Sequence, residues 1–319
     1  MTGITVINAG PLSTVQDGGR HGYMSLGFSP SGAMDSYSMR LANLLVSNSL
    51  NEAVVEMTLL GMTLRFECNT VIALTGADMS PEINGKPIDT YASVEVNAGD
   101  VLTMKIAKSG LRSYLAVAGG FEIPEIMGSC STNLKCTLGG FEGRKLRAGD
   151  FIPLRHSVPL SLVGERRVDP ENDYPSEYEV RVLLGPQDSL FTQKGIEDFL
   201  SKEYTVSDKS DRMGVRLEGY PVESIKGVDI ISDGMATGSV QITSAGTPII
   251  MMSDRQTTGG YAKIATVITA DLKLIAQARA GDKLRFVAVS EKKAVSLLKK
   301  ENRKLKFLQY RFLCAAWRY

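Results

Sequence analysis

Short runs of Val, Ile, Thr and aromatic residues recur along the chain and are broken by Gly, Asp, Asn and Pro, the pattern of many short strands. VIALTG (71–76), SYLAVAGG (113–120), YEVRVLLGP (178–186), PIIMMSD (248–254) and KIATVITAD (263–271) are the clearest. Helical spacing is rarer. It places Met34, Met39, Leu41, Ala42, Leu45 and Val46 on one face of 33–46, and a shorter helix is predicted over 188–200. The chain is predicted to be mainly β, with a few short helices.

One turn recurs three times, as VNAGDVLTMK (96–105), LRAGDFIPLR (146–155) and ARAGDKLRFV (278–287). In each, Gly supplies a turn conformation that a side chain resists, Asp caps the turn, and a strand follows. A strand ending in Gly-Pro also occurs twice, at 4–11 and 179–186, so two similar β units are expected. The charged, proline-containing stretch 163–178 is the predicted linker. This divides the chain into an N-terminal β domain over 1–165, a C-terminal β domain over 176–290 and a tail over 291–319.

The tail changes the charge picture. It holds nine Lys and Arg against Glu291 and Glu301, a charge of +7, whereas the whole chain carries +1. Leu298, Leu305, Leu308 and Phe312 fall at helical spacing, so the tail is predicted to be an amphipathic helix docked by its apolar face, with a solvated basic face; a partner-binding or membrane-surface helix is the alternative. The rest of the chain therefore carries −6, and the overall charge of +1 offers no general reason to bind nucleic acid or a membrane. Neither a signal-peptide pattern at the N-terminus nor an apolar run of about 18 residues is present, and a cytoplasmic location is expected. Cys68, Cys130, Cys136 and Cys314 lack metal-site spacing and read as reduced thiols.

With only His21 and His156 in the chain, a His-rich metal site is excluded and no metal is assigned to this chain's own side chains. No G-x-S-x-G, Walker A, G-x-G-x-x-G or C-x-x-C pattern occurs. Polar, glycine-bearing clusters remain. In 13–23, Asp17, Arg20 and His21 flank adjacent glycines; a surface loop with a tight turn is the plainer reading. In SPSGAMD (29–35), Ser29 or Ser31 could cap the next helix and leave its amides for an anion, simple capping being the favoured reading. Arg212 and Arg216 in SDRMGVRLEG could clamp a carboxylate or phosphate, or form surface ion pairs. Gln241 lies on a strand running into a glycine turn, where a buried amide is usually structural. Ser253 to Lys263 is the densest cluster: Arg255, Gln256, Thr257, Thr258, Gly259, Gly260, Tyr261 and Lys263 combine cations, an amide, hydroxyls and flexible backbone between two strands. Such donors suit an oxyanion or phosphoryl group.

Taken in order, GPLSTVQDGGRHGY (10–23), SGAMD (31–35), the helix end at Asn43–Asn48, SDRMGVRLEG, GSVQITSAGTPI (238–249) and DRQTTGGYAKIATV (254–267) resemble the allophanate hydrolase subunit 2, or biotin-dependent carboxyltransferase, family. That family includes the C subunit of bacterial 5-oxoprolinase. The resemblance spans about 4–290 and implies two cyclophilin-like β-barrel units.

It also implies a reaction and partners. Members work with a Kip-inhibitor-like B subunit, together with a LamB/YcsF-type A subunit, to open 5-oxoproline to glutamate with ATP, Mg being expected beside the nucleotide. On that reading Arg255 and Lys263 meet the phosphoryl group, Arg212 holds the carboxylate, Asp17 or His21 handles protons, and Gln241, Gln256 and Thr258 orient the ring amide. Gly259, Gly260 and Asp35 complete the expected substrate contacts. Other members act as the carboxyltransferase part of a urea or allophanate-type system, or bind a Kip-inhibitor-like regulator. No Ala-Met-Lys-Met biotinyl motif is present, so carboxybiotin would arrive on another chain.

Overall fold

Alternation of burial along the strands sets how they layer. The computed structural model describes residues 2–170 and 174–316, with side chains to 313, so the expected thiol of Cys314 and the charge of Arg318 lie outside the described residues. The described residues group into two units, one of 1–21, 31–174 and 303–319, the other of 22–30 and 175–302. The break at 174/175 falls inside the charged 163–178 stretch. The short segment 22–30 groups with the second unit, and the C-terminal helix is divided between the two.

The first unit holds two antiparallel sheets. The six-stranded one runs Phe151–Pro153, Gly3–Asn8, Thr63–Phe66, Val101–Thr103, Glu82–Ile83, Lys86–Pro87; the five-stranded one runs Ser13–Gln16, Val54–Thr58, Ser109–Val117, Thr70–Asp78, Val94–Val96. Ile72, Leu74, Leu115 and Val117 turn to a core shared with Ile4, Leu64 and Phe66. Their neighbours Val71, Ala73, Tyr114 and Ala116 turn to a second core with Leu41 and Leu45 of the helix Ser36–Leu45 and with Leu305, Leu308 and Phe312 of the helix Glu291–Ala316. Both faces of Thr70–Asp78 are therefore covered, which is why apolar residues follow one another without alternation over 71–74. In the helix Glu291–Ala316, Leu305, Leu308 and Phe312 are buried, Leu298 is half-buried and the lysines are exposed.

The recurrent turn keeps one geometry in all three places. Gly99, Gly149 and Gly281 have φ of 93°, 91° and 92°, the left-handed region that glycine tolerates. Asp100, Asp150 and Asp282 each accept a bond from the backbone N–H three residues earlier, at 2.8, 2.8 and 2.7 Å. Each glycine N–H then donates to a carbonyl of a neighbouring strand, of Phe66, Val6 and Val206 respectively, and the same strand residue donates back to the aspartate carbonyl. Two copies stand in the first unit and one in the second.

The second unit is a closed barrel in the order Glu177–Leu184, Lys263–Val267, Ser239–Ile242, Pro248–Met251, Gly214–Glu218, Glu203–Val206, Lys283–Ala288, sealed by parallel pairing of the first and last. Val180, Val182, Val240, Ile250, Ile264, Leu284 and Phe286 fill it. The helix Gln193–Ser201, capped by the Thr192 hydroxyl on the Gly195 N–H, stacks Phe199 on Phe286 at 4.4 Å between ring centres. A two-stranded ribbon, Asp229–Gly234 with Thr258–Tyr261, stands apart from the barrel sheet. Of the two barrels expected, the second unit closes as one, whereas the first is organised as two sheets with separate faces and a helix on one of them. No described helix is long and apolar enough to cross a membrane.

Candidate functional site

The densest polar cluster of the sequence is not one loop. Ser253–Thr257 turns out of the strand Pro248–Met251, Thr258–Tyr261 pairs with the ribbon strand, and Lys263 opens the next barrel strand. A bulge between Val240 and Gln241 sets Gln241 opposite Lys263 rather than one residue further on. Bulges re-aim side chains in this way.

Lys263 and Arg255 are both buried and are held by backbone carbonyls at the end of the ribbon strand. Lys263 is 3% exposed; its Nζ donates to the Gly234 carbonyl at 2.9 Å and to Asp233 Oδ2 at 2.5 Å. Arg255 is 5% exposed; its Nε donates to the Met235 carbonyl at 2.8 Å, one Nη to the Met252 carbonyl at 3.3 Å, and the other lies 3.8 Å from Met24 Sδ. The two charges thus converge on consecutive peptide carbonyls. Lys263 has a carboxylate partner. Among the described residues Arg255 has none, and burial alone pushes its guanidinium down to about 10. A buried cation without a counter-ion is costly and marks a place for an anion.

Gln187, which sequence reasoning missed, organises the lysine. Its Oε1 accepts from the Lys263 N–H at 3.1 Å, its own N–H donates to the Lys263 carbonyl at 3.1 Å, and its Nε2 reaches Asp233 Oδ2 at 3.3 Å. Asp233 was missed as well. Lys263, with the Gly234 N–H and Gln187, holds its carboxyl below the usual carboxylate range. The only signal for Gln187 was its place just after a strand ending in Gly-Pro, and Asp233 had none.

Gln241 is buried and its Nε2 donates to the Tyr261 carbonyl at 3.0 Å. Beside it, a Cβ on Gly259 would meet Gln241 and Met235 side-chain atoms under 3 Å away, so the cluster needs glycine there for space. Gly260 meets nothing closer than 3.6 Å. Gln256 and Thr258 are exposed.

Three expected roles change. Arg212 does clamp a carboxylate, but it is Asp254: Nε to Oδ2 is 2.8 Å and Nη2 to Oδ1 is 3.2 Å. That pair braces the turn carrying Arg255, and the Arg212 fork already holds a carboxylate of its own chain; Arg216 points out of the strand and is exposed. Asp17, in the first unit, accepts from Gly19 N, Cys130 N and the Ser129 and Ser131 hydroxyls. Four donors commit it to joining two loops and leave it poorly suited to proton transfer; His21 is exposed with a ring nitrogen 3.0 Å from the Gly18 carbonyl. Asp35 itself, not Ser29 or Ser31, caps the helix Ser36–Leu45, by accepting from Ser38 N at 3.0 Å and Ser38 Oγ at 2.6 Å. Its carboxylate takes the N3 amide, so a negative charge of the chain itself already stands at the helix end.

The model of the carboxyltransferase domain, subdomain A and B, matches residues 26–288. The chain belongs to this family. The match takes in every barrel residue of the site and leaves Asp17 and His21 outside. This carboxyltransferase-domain chain is 38% identical to the C subunit of the 5-oxoprolinase of Escherichia coli (strain K12), over 97% of its own length and 98% of the relative's. It is 34% identical to the urea amidolyase of Lachancea kluyveri, covering 95% of itself but 18% of that protein. The crystal structure of the K. lactis urea amidolyase superposes with a TM-score of 0.89 at 30% identity, over 96% of this chain and 20% of that one.

Proposed function

We propose that this chain is the C subunit of an ATP-dependent 5-oxoprolinase, working with other subunits to open 5-oxoproline to L-glutamate. The observation that carries the reading is the pair of buried cations, Arg255 and Lys263, on the carbonyls of Met235 and Gly234. A lactam carbonyl is a poor electrophile. ATP supplies the activation: its terminal phosphoryl group passes to the carbonyl oxygen and ADP leaves, water adds to the carbon, the C–N bond breaks with the nitrogen taking a proton, and a second water releases phosphate from the acyl phosphate to leave glutamate. Two fixed cations in a dehydrated site stabilise the charge that gathers on the phosphoryl oxygens without reorganising. Gln241, its Nε2 spent on Tyr261, offers Oε1 to the lactam N–H, with Gln256, Thr258 and the Gly259–Gly260 backbone beside it. Arg212 and Asp254 hold the turn.

The donor set fits phosphate better than a magnesium ion. Asp233 and Asp254 are each ion-paired, and among the described residues no group of three or more His, Cys, Asp or Glu is arranged to hold a metal. Mg would be held by the nucleotide and by partner residues. The partners proposed are a Kip-inhibitor-like B subunit, together with a LamB/YcsF-type A subunit, in the cytoplasm, with the isolated chain inactive.

The likeness to urea amidolyase favours a second reading, the carboxyltransferase component of a urea or allophanate-type system fed by carboxybiotin from another chain. Near-complete coverage of both chains with the Escherichia coli relative supports the first. The test mixes the purified subunits with ATP and 5-oxoproline and measures glutamate. Glutamate that depends on this chain is expected; a complete set that makes none, with transfer from carboxybiotin to urea instead, overturns the first reading in favour of the second.

A further inference from the structure

The Lys263–Asp233 pair is lopsided. Its ammonium side is 3% exposed, and its carboxylate side is 54% exposed. Asp233 sits on the ribbon strand Asp229–Gly234, whose register against Thr258–Tyr261 slips between Asp229 and Asp233, and whose Ile231 is 95% exposed. In an ion pair buried on both sides each charge bears a desolvation penalty, so neither partner can leave without stranding the other. Here only the lysine is buried, and the aspartate is not its only anchor. The Gly234 carbonyl holds its Nζ and Gln187 clasps its backbone from both sides.

We propose that Asp233 is a stand-in anion: it occupies Lys263 in the resting site and is displaced by the phosphoryl group, which the ammonium then shares with Arg255. The inference rests on the phosphoryl-binding reading given above and adds the regulation of that site. Three features carry it. Asp233 is already more than half exposed, so release into water costs it little. A phosphoryl dianion brings more charge than one carboxylate to two cations of which only one is neutralised. Gln187 reaches Asp233 at only 3.3 Å while holding Lys263 by two shorter bonds, so it keeps the lysine in register when the aspartate leaves. In the resting chain Asp233 keeps the buried ammonium compensated and shuts out weaker anions, a selectivity of the site for phosphoryl over carboxylate.

The test titrates the full chain with inorganic phosphate by calorimetry, for wild type, Asp233→Asn and Asp233→Asn/Lys263→Met, each checked by a thermal melt, with Asp233→Ser as a second way to remove the charge. Phosphate is expected to bind Asp233→Asn about tenfold more tightly than wild type, and the double variant is expected to lose the gain. Binding to Asp233→Asn and Asp233→Ser that is no tighter than to wild type, including no heat in any of them, overturns the proposal. So does a gain for 5-oxoproline without one for phosphate. A gain that persists in the double variant places the anion away from Lys263 and removes the phosphoryl role of that lysine as well; a failure of Asp233 alone, with Lys263→Met inactive in the reconstituted enzyme, leaves that role standing.

Discussion

Gln241 and Gly259 constrain each other: a methyl group at Gly259 would lie 2.7 Å from Gln241 Nε2, with Met235 Cε 2.6 Å away on its other side. Both obstacles are ends of flexible side chains, so Gly259→Ala is expected to fold while pushing the Gln241 amide off the Tyr261 carbonyl. A stability loss of about 1–3 kcal/mol is expected from overpacking. Glutamate production by the reconstituted complex should fall at least about tenfold, the equivalent of about 1.4 kcal/mol of transition-state binding. Unchanged kinetics would show that the position of Gln241 is indifferent to turnover.

Arg255 should trade stability for function. Its folded pKa of about 10 lies below the ordinary arginine value because burial disfavours the charge. The folded state therefore carries that penalty at every pH below about 10, and it lifts only between there and the ordinary value, where the unfolded chain holds more protons. The penalty is on the order of 3 kcal/mol, at about 1.4 kcal/mol for each pH unit between the two values. Arg255→Met removes it but loses the bonds to the Met235 and Met252 carbonyls. Urea unfolding is expected to show stability equal to or above wild type, with turnover abolished; a marked destabilisation would mark Arg255 as structural.

The Arg212–Asp254 pair should behave in the opposite way. Its two sides are 5% and 12% exposed, and breaking one side leaves a buried charge. Asp254→Asn is expected to cost about 3 kcal/mol, and Arg212→Lys, whose single ammonium nitrogen cannot span both carboxylate oxygens as the planar fork does, a comparable amount. Replacing both together should cost less than the two added, in a double-mutant cycle read by urea melts.

The Asp233–Lys263 pair gives an acid signature. Because Lys263 lowers the folded pKa of Asp233, its stabilising effect is present above the ordinary carboxylate range and is lost as pH falls through the depressed folded value. The difference in unfolding free energy between wild type and Asp233→Asn is expected to be constant from pH 7 to 5 and to shrink toward zero below about pH 4. A difference that grows in acid contradicts the pairing.

The tail helix is part of a core rather than an appendage. Leu305, Leu308 and Phe312 are 3%, 5% and 6% exposed, and at about 1.5–3 kcal/mol for each buried side chain, removal of 303–319 is expected to cost on the order of 5 kcal/mol. Charge reversal at the exposed Lys299 and Lys300 should change the melting temperature very little. Equal melting temperatures for the truncated and full chains would refute the docking.

Much was legible in the chain itself because it depends on neighbours in sequence. Period-two alternation, β-branched runs and Gly-Asp turns are local, so the strands and the thrice-used turn could be read, and the spacing of Leu305, Leu308 and Phe312 showed which face of the tail is covered. The richness of Ser253–Lys263 in donors singled out Arg255 and Lys263. What the chain alone could not say is what each charge meets, since that depends on residues far away in number: Asp254 for Arg212, the two serines for Asp17, and Gln187 with Asp233 for Lys263. Residue type determined that this protein is mainly β and that it carries a cationic cluster. Tertiary structure alone decided which of those cations are already paired with a carboxylate and which is buried without one, because burial and counter-ion distance are set by strand pairing and not by the order of residues.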